Sequence, residues 1–215
     1  MTVPFRRTDV NKRVYRSPAG LNQSTFSLTR RRVRRTFGVM TDQAVEEAPG
    51  KIDTPVTPDL FKAVMGSVCT PVTVVTAFDG DRPHGTTVSA FMSLSLTPPM
   101  VLVALDENSD LLALLRTTPR FGINILSDAQ DGIASRFAVK GEDKFVGVRW
   151  SSRCGAPHVE GSACWFGCEV DRLVPGGDHT IVTANVIETH YVDHLPLTYH
   201  RRSFGTHGPL PGRAS

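Results

Sequence analysis

From Thr57 onward the chain divides into short segments whose apolar residues recur with one of two periods. In TPDLFKAVMGSV, Leu60, Phe61, Val64, Met65 and Val68 return at helical spacing behind a Thr-Pro entry, which predicts a short amphipathic helix capped at Thr57. PVTVVTAFDGDRPHGTTVSAFMSLS reads as a strand, a turn over residues 79–83 and a second strand. PMVLVALD is apolar on both faces and predicts a buried strand. NSDLLALLRTTP suits a short helix capped by Asn108 or Ser109, RFGINILS a strand, and SDAQDGIASRFA a helix opened by Ser127 or Asp128. SACWFGCEVDRLV, HTIVTANVIETHYV and LTYHRRSF supply three more strands. About seven strands and three short helices, with no repeated βαβ alternation, predict a mainly β protein. The expected architecture is an antiparallel barrel with small helices between its strands.

Charge alters how the first fifty residues are read. Residues 1–39 hold ten Lys or Arg against Asp9 alone, whereas the rest carries fourteen basic and twenty acidic side chains, so the overall +3 misrepresents a mildly acidic main domain. The run TRRRVRRTF has a loose twin-arginine look, but GVMTDQAVEEAPG after it is too polar for a signal's apolar region. Character changes abruptly at Met40, so residues 1–50 are expected to be a disordered tail or sequence upstream of the functional start, with residues 51–215 forming one domain. A nucleic-acid arm is the disfavoured reading of the same run, and no nucleic-acid partner is expected. No stretch approaches the roughly 20 apolar residues that span a bilayer. Cys69, Cys154, Cys164 and Cys168 lack CxxC spacing, which fits a reduced, cytoplasmic setting, and Cys164 and Cys168 read as core residues sharing one strand face.

Candidate chemistry is sparse. GxGxxG after a strand, GxxxxGK[ST], HExxH and GxSxG are all absent, so nucleotide-loop, metal and serine-hydrolase mechanisms have little to rest on, and no metal is expected. In GTTVSAFMSLSLTPP, residues 85–99, side chains stay small on both faces over several positions, which lets a flat ligand approach the backbone while N–H groups and hydroxyls bind an anion. DENSD, residues 106–110, opens a helix, where N–H groups are expected to point outward. PGGDHTIV places Asp178 and His179 at the mouth of a strand. The residues alone leave open whether they are turn chemistry or face a ligand.

FxxVMGSVCTPVTVVTA, HGTTVSAFMSLSLTPPMVLVAL, NS, FGINIL, ASRFA, DKF, PGGDHTIV and PLTYHRRSFG follow one another over residues 58–207. Together they resemble the short-chain flavin reductase family, the reductase components of two-component flavin-dependent monooxygenases. The resemblance implies an FMN-binding split β-barrel of antiparallel Greek-key type, usually a homodimer with the flavin near the subunit interface. It implies hydride transfer from NADH or NADPH to FMN or FAD, and delivery of reduced flavin to a separate monooxygenase. A non-catalytic flavin-binding protein or electron carrier on the same barrel is the alternative.

Position by position, Thr87, Val88, Ser89, Ala90 and Phe91 would line the isoalloxazine and ribityl chain, and Ser93 and Leu94 would continue that wall. Asn108, Ser109 and Asp110 would contact the flavin phosphate or diphosphate, with Arg136, Phe137 and Lys144 closing the far side. Gly177, Asp178 and His179 match the family's Gly-Asp-His, whose histidine approaches the nicotinamide and is expected to donate to its carboxamide. Arg201 or Phe204 would flank the nicotinamide nucleotide. There the chain departs from the family's aromatic-Arg-x-Gly-x-aromatic pattern, because the glycine is missing and the register is therefore open.

Overall fold

A computed structural model describes residues 55–141 and 143–210. The basic segment, together with the disorder and start site expected for it, lies outside the described residues. Helix α1 spans Pro58–Met65, and Thr57 caps it by accepting the Leu60 N–H at 3.3 Å. None of its residues is buried, and its apolar side chains stay exposed. The chain then forms β1 (Thr70–Pro71), β2 (Thr73–Asp79), β3 (Arg82–Val88), β4 (Phe91–Leu96) and β5 (Pro99–Asp106). Helix α2 (Asp110–Leu115), β6 (Arg120–Ile125) and α3 (Asp131–Ala138) follow. The remainder is strand: β7 (Trp150–Arg153), β8 (Ala156–Val159), β9 (Cys164–Gly176), β10 (His179–Tyr191), β11 (Leu197–His200) and β12 (Ser203–Thr206).

Seven strands make one sheet in the order β3-β2-β6-β9-β10-β5-β4, every neighbour antiparallel. Its two edges, β3 and β4, are consecutive in the chain and separated only by Ser89 and Ala90. The sheet must therefore curl until its edges meet. The Thr73 hydroxyl fixes the join by donating to the Val88 carbonyl at 2.6 Å, and the Ala104 N–H donates to the Ala90 carbonyl at 3.0 Å. Val75, Val103, Phe121, Ile123 and Val182 fill the interior, while Val74, Leu126, Phe137 and Val159 form a second cluster on the outer face.

Four features differ from the pattern read in the sequence. The expected continuous strand through HGTTVSAFMSLS breaks at Ser89 and Ala90, where the Phe91 N–H turns back to the Ser89 carbonyl at 3.0 Å and the chain changes edges. LTYHRRSF is a hairpin rather than one strand, with Arg201 and Arg202 both at positive φ (49° and 63°) in the two-residue turn between β11 and β12. Ser127 and Asp128 do not open α3. Gln130 stands at its N-cap, and the Gln130 carboxamide ties down the approach by accepting the Ser127 N–H at 3.0 Å and donating to the Glu160 carbonyl at 2.8 Å. The β7–β8 hairpin, turning at Cys154 and Gly155, has no counterpart among the expected strands.

Trp165 is wholly buried on the outer face, in a notch made by two glycines paired across β6 and β9. A Cβ on Gly122 would lie 2.9 Å from its indole nitrogen, and one on Gly167 would lie 2.7 Å from its ring. Cys168 shares the opposite face with Cys164, as the four-residue spacing implies, but only Cys168 is fully buried, and burial pushes its thiol up to about 12. All four cysteines are free thiols.

His158 on β8 packs edge-on to Trp165 and His190, and its Nε2 has no hydrogen-bond partner. Burial pulls its pKa below the ordinary 6.5, with Arg153 and His190 adding to the shift and Glu160 and Glu188 opposing it. The unfolded chain therefore binds the proton first as pH falls through about 6.5, so the folded state loses stability from there down to the depressed folded pKa. Urea midpoints measured at descending pH should fall across that window, and more shallowly in His158→Gln. An equal slope in the variant would assign the acid sensitivity to other groups.

Candidate active site

A cleft of about 490 Å³ opens beside the join between the sheet's edges. Edge strand β3 and the turn after it form one wall, and the end of β5 with the start of α2 forms the other. The segment after α3 covers one end and His179 stands at the mouth. Among the positions expected to bind flavin, Thr87, Val88, Ser89 and Ala90 line the first wall, Asn108, Ser109 and Asp110 the second, and Lys144 the covered end. His179 reaches this cleft because β10 pairs with β5 in the register His179 opposite Asp106.

The other expected positions do not line it. Phe91 turns into the barrel interior against Phe166, with ring centroids 5.8 Å apart. Ser93 and Leu94 are exposed on the outer edge strand. Phe137 is fully buried beneath Gly85 and stacks edge-on with Phe145 at 4.9 Å, while Arg136 donates to the Val146 carbonyl and faces a separate depression. Gly177 and Asp178 form the turn behind His179. Arg201 and Phe204 belong to the β11–β12 hairpin, where Phe204 packs on Tyr199 at 5.3 Å and faces a third depression beside Cys69.

Several donors expected to face a ligand are already engaged. The Asn108 N–H donates to the Asp106 carboxylate at 2.7 Å and the Ser109 N–H to the Asp106 carbonyl at 2.9 Å, so the DENSD loop itself satisfies these two amides. The Thr87 hydroxyl donates to the Ala134 carbonyl at 2.8 Å and anchors α3 instead of facing the cleft. The Ser109 side chain makes no cap bond. On β3 the Gly85 carbonyl faces away from β2, where it accepts from Lys144 Nζ at 3.2 Å. By the two-residue strand period, the N–H of Thr87 faces the same side.

Positive charge gathers at the covered end. Lys144 also donates to the Phe137 carbonyl at 3.1 Å, and burial lowers its pKa while Asp110 opposes the shift. Lys140 lines the same end, as does His84, whose pKa is lowered by burial and then by Lys144. Thr86, one of the small hydroxylated residues of the 85–99 stretch, lines the cleft, whereas His84, Leu111 and the segment 138–141 were not anticipated from sequence. His84 shares a strand face with Thr86 and Val88, so the period-2 pattern could have pointed to it, whereas the segment 138–141 carries no such signal.

At the mouth, Asp178 Oδ1 lies 2.7 Å from His179 Nδ1, and this bond holds the Asp178 carboxyl below its usual range. With Nδ1 engaged by the carboxylate, Nε2 is left to face a ligand, as a lone pair on the neutral ring or an N–H on the charged one. This volume falls within the roughly 300–1,000 Å³ of ligand clefts. Small side chains along one wall, an outward-facing strand edge and cations at one end suit a planar ring carrying an anionic tail, which describes a flavin nucleotide.

Residues 65–208 match the flavin reductase like domain. The chain belongs to that family. Its curled antiparallel sheet is the split β-barrel that the resemblance implied. Among its relatives, a flavin reductase of Pseudomonas putida is 37% identical over 169 residues, which cover 77% of this chain and 97% of that protein. The reductase component of a 4-nitrophenol 4-monooxygenase/4-nitrocatechol 2-monooxygenase from Rhodococcus opacus is 39% identical, over 67% of this chain and 78% of its own. The NADH:FAD oxidoreductase SgcE6 of Streptomyces globisporus, solved in complex with NAD and FAD fragments, superposes with a TM-score of 0.68 at 31% identity, covering 74% of this chain and 98% of its own.

Proposed function

We propose that this family member is an NADH:flavin oxidoreductase that takes FMN or FAD in the cleft and supplies reduced flavin to a separate monooxygenase. The observation that carries the reading is the placement of His179 at the mouth of the same cleft whose wall is the small-residue turn at Ser89 and Ala90. NADH is favoured over NADPH because relatives are named for it. When bound, the flavin accepts a hydride from the nicotinamide, which is chemistry the cofactors bring.

The chain's contribution is placement. The β3 edge and the Ala90 turn offer a flat wall, and Lys144 with Lys140 offers countercharge to a phosphate. His179, its Nδ1 held by Asp178, presents Nε2 to the nicotinamide carboxamide, whose C=O and N–H offer a partner to an imidazole in either protonation state. Residues 51–215 are assigned this activity, a reading supported by the family match over residues 65–208. A homodimer is supported by apolar side chains that one chain leaves exposed: Leu60, Phe61 and Val64 on α1, and Met92, Leu94 and Leu96 on β4. Four free thiols support a reduced, cytoplasmic setting.

Purified protein should consume NADH with added FMN or FAD and not without flavin. Inertness with both flavins would defeat the proposal. His179→Ala should raise the KM for NADH roughly tenfold, the size of one lost hydrogen bond to a ligand, and leave flavin affinity nearly unchanged. Equal loss of both would remove His179 from the nicotinamide side.

A further inference from the structure

Glu107 lies between Asp106, the last residue of β5, and Asn108, yet it does not line the cleft. Its bonds run the other way. The Glu107 N–H donates to the Asp178 carbonyl at 3.1 Å. Its Oε1 accepts the hydroxyl of Thr180, and its Oε2 accepts Arg116 Nη2 at 2.8 Å. Asp178 and Thr180 are the two chain neighbours of His179, so a single residue holds the backbone before the histidine and the side chain of the residue after it. Thr180 is buried, and Arg116 stands at the C-cap of α2, which anchors the carboxylate to the helix that forms the cleft's second wall.

We infer that Glu107 is a positioning residue for the nicotinamide, a clamp that sets His179 over the cleft without touching either cofactor. The inference rests on the functional reading above. The turn before His179 needs such a clamp. Gly177 has a positive φ of 74° with open space around it, and Asp178 is exposed, so packing does little to hold the loop. The hydrogen bonds from Thr180 and Arg116 hold the Glu107 carboxyl below its ordinary range, which favours the charged form that accepts both.

The test uses the full chain. Wild type, Glu107→Ala, Glu107→Gln and Thr180→Val are compared for KM of NADH, kcat, flavin affinity by fluorescence quenching, and amide exchange in the peptide over residues 176–181. Glu107→Ala and Thr180→Val should raise KM about three- to tenfold, on the scale of one charge-assisted hydrogen bond, with flavin affinity held within about twofold and faster exchange around His179. Glu107→Gln, which keeps an acceptor for the Thr180 hydroxyl, should recover much of the loss.

Because the clamp acts through His179, Glu107→Ala should raise KM no further in a His179→Ala background. An unchanged KM in Glu107→Ala, or the same increment with and without His179, overturns the inference. A wild type that consumes no NADH with either flavin overturns the functional reading instead, and the exchange measurement then still reports whether Glu107 holds the loop.

Discussion

Ala90→Trp should leave the chain folded while cutting flavin-dependent NADH oxidation by about 100-fold or more, equivalent to about 2.7 kcal/mol of lost binding. Ala90 lines the cleft but is exposed, so a larger side chain meets solvent-filled space rather than packed core. Its carbonyl remains tied to the Ala104 N–H at 3.0 Å whatever the side chain, which keeps the turn in place. An indole then occupies the space a flavin ring needs. The check pairs steady-state NADH consumption with circular dichroism and a thermal melt, and uses Ala90→Ser as the size-matched control. Near-normal turnover in a folded Trp variant would mean that the flavin does not lie against this turn.

The largest effect on stability is expected at the other end of the β9–β10 hairpin. Trp165→Ala should cost about 3–5 kcal/mol, the range for emptying a buried aromatic site. A domain of this size has about 5–15 kcal/mol in total, so a large share of the margin would go. The cost should sit at the high end because the glycine side of the site cannot collapse. Gly122 and Gly167 have no side chains to move inward, and the carbonyl of Pro157, which approaches the same space, is backbone. Urea unfolding followed by fluorescence or circular dichroism measures the difference, and a loss under about 1 kcal/mol would show that the notch closes over the void.

Elements specified by local chemistry were legible in the sequence. Thr57 with Pro58 marked α1, β-branched runs marked the strands of the curled sheet, and the order of small motifs pointed to the family. What escaped depends on long-range geometry. Nothing in VSAF states that the chain leaves one sheet edge at Val88 and joins the opposite edge at Phe91, because that switch is set by β5, which alone offers β4 a partner. Arg201 and Arg202 adopt left-handed conformations that turns usually assign to Asn or Gly, so no residue announced the β11–β12 hairpin. Register slips at the Thr183–Ala184 and Val186–Glu188 steps reset the strand parity within β9 and β10, which blurs alternation along the longest hairpin.

The same division applies to the cleft. Ser89, Ala90 and His179 were visible as residue types in suggestive places. Phe91 and Phe137 looked alike in sequence, yet they serve the core. Glu107 read as one acid among several in DENSD, since its bonds go to residues more than seventy positions away as well as to Arg116 nearby.

The two-residue link between the outermost strands has one more consequence. Sites for small molecules are commonly built on loops that must be ordered when the ligand arrives, and that ordering subtracts from affinity. Here the wall of the cleft is the covalent joint that closes the barrel, the one place where neither edge can fray without pulling on the other. Preorganisation is therefore a product of topology, and a rigid planar ligand meets a surface whose conformational entropy was already surrendered when the chain folded.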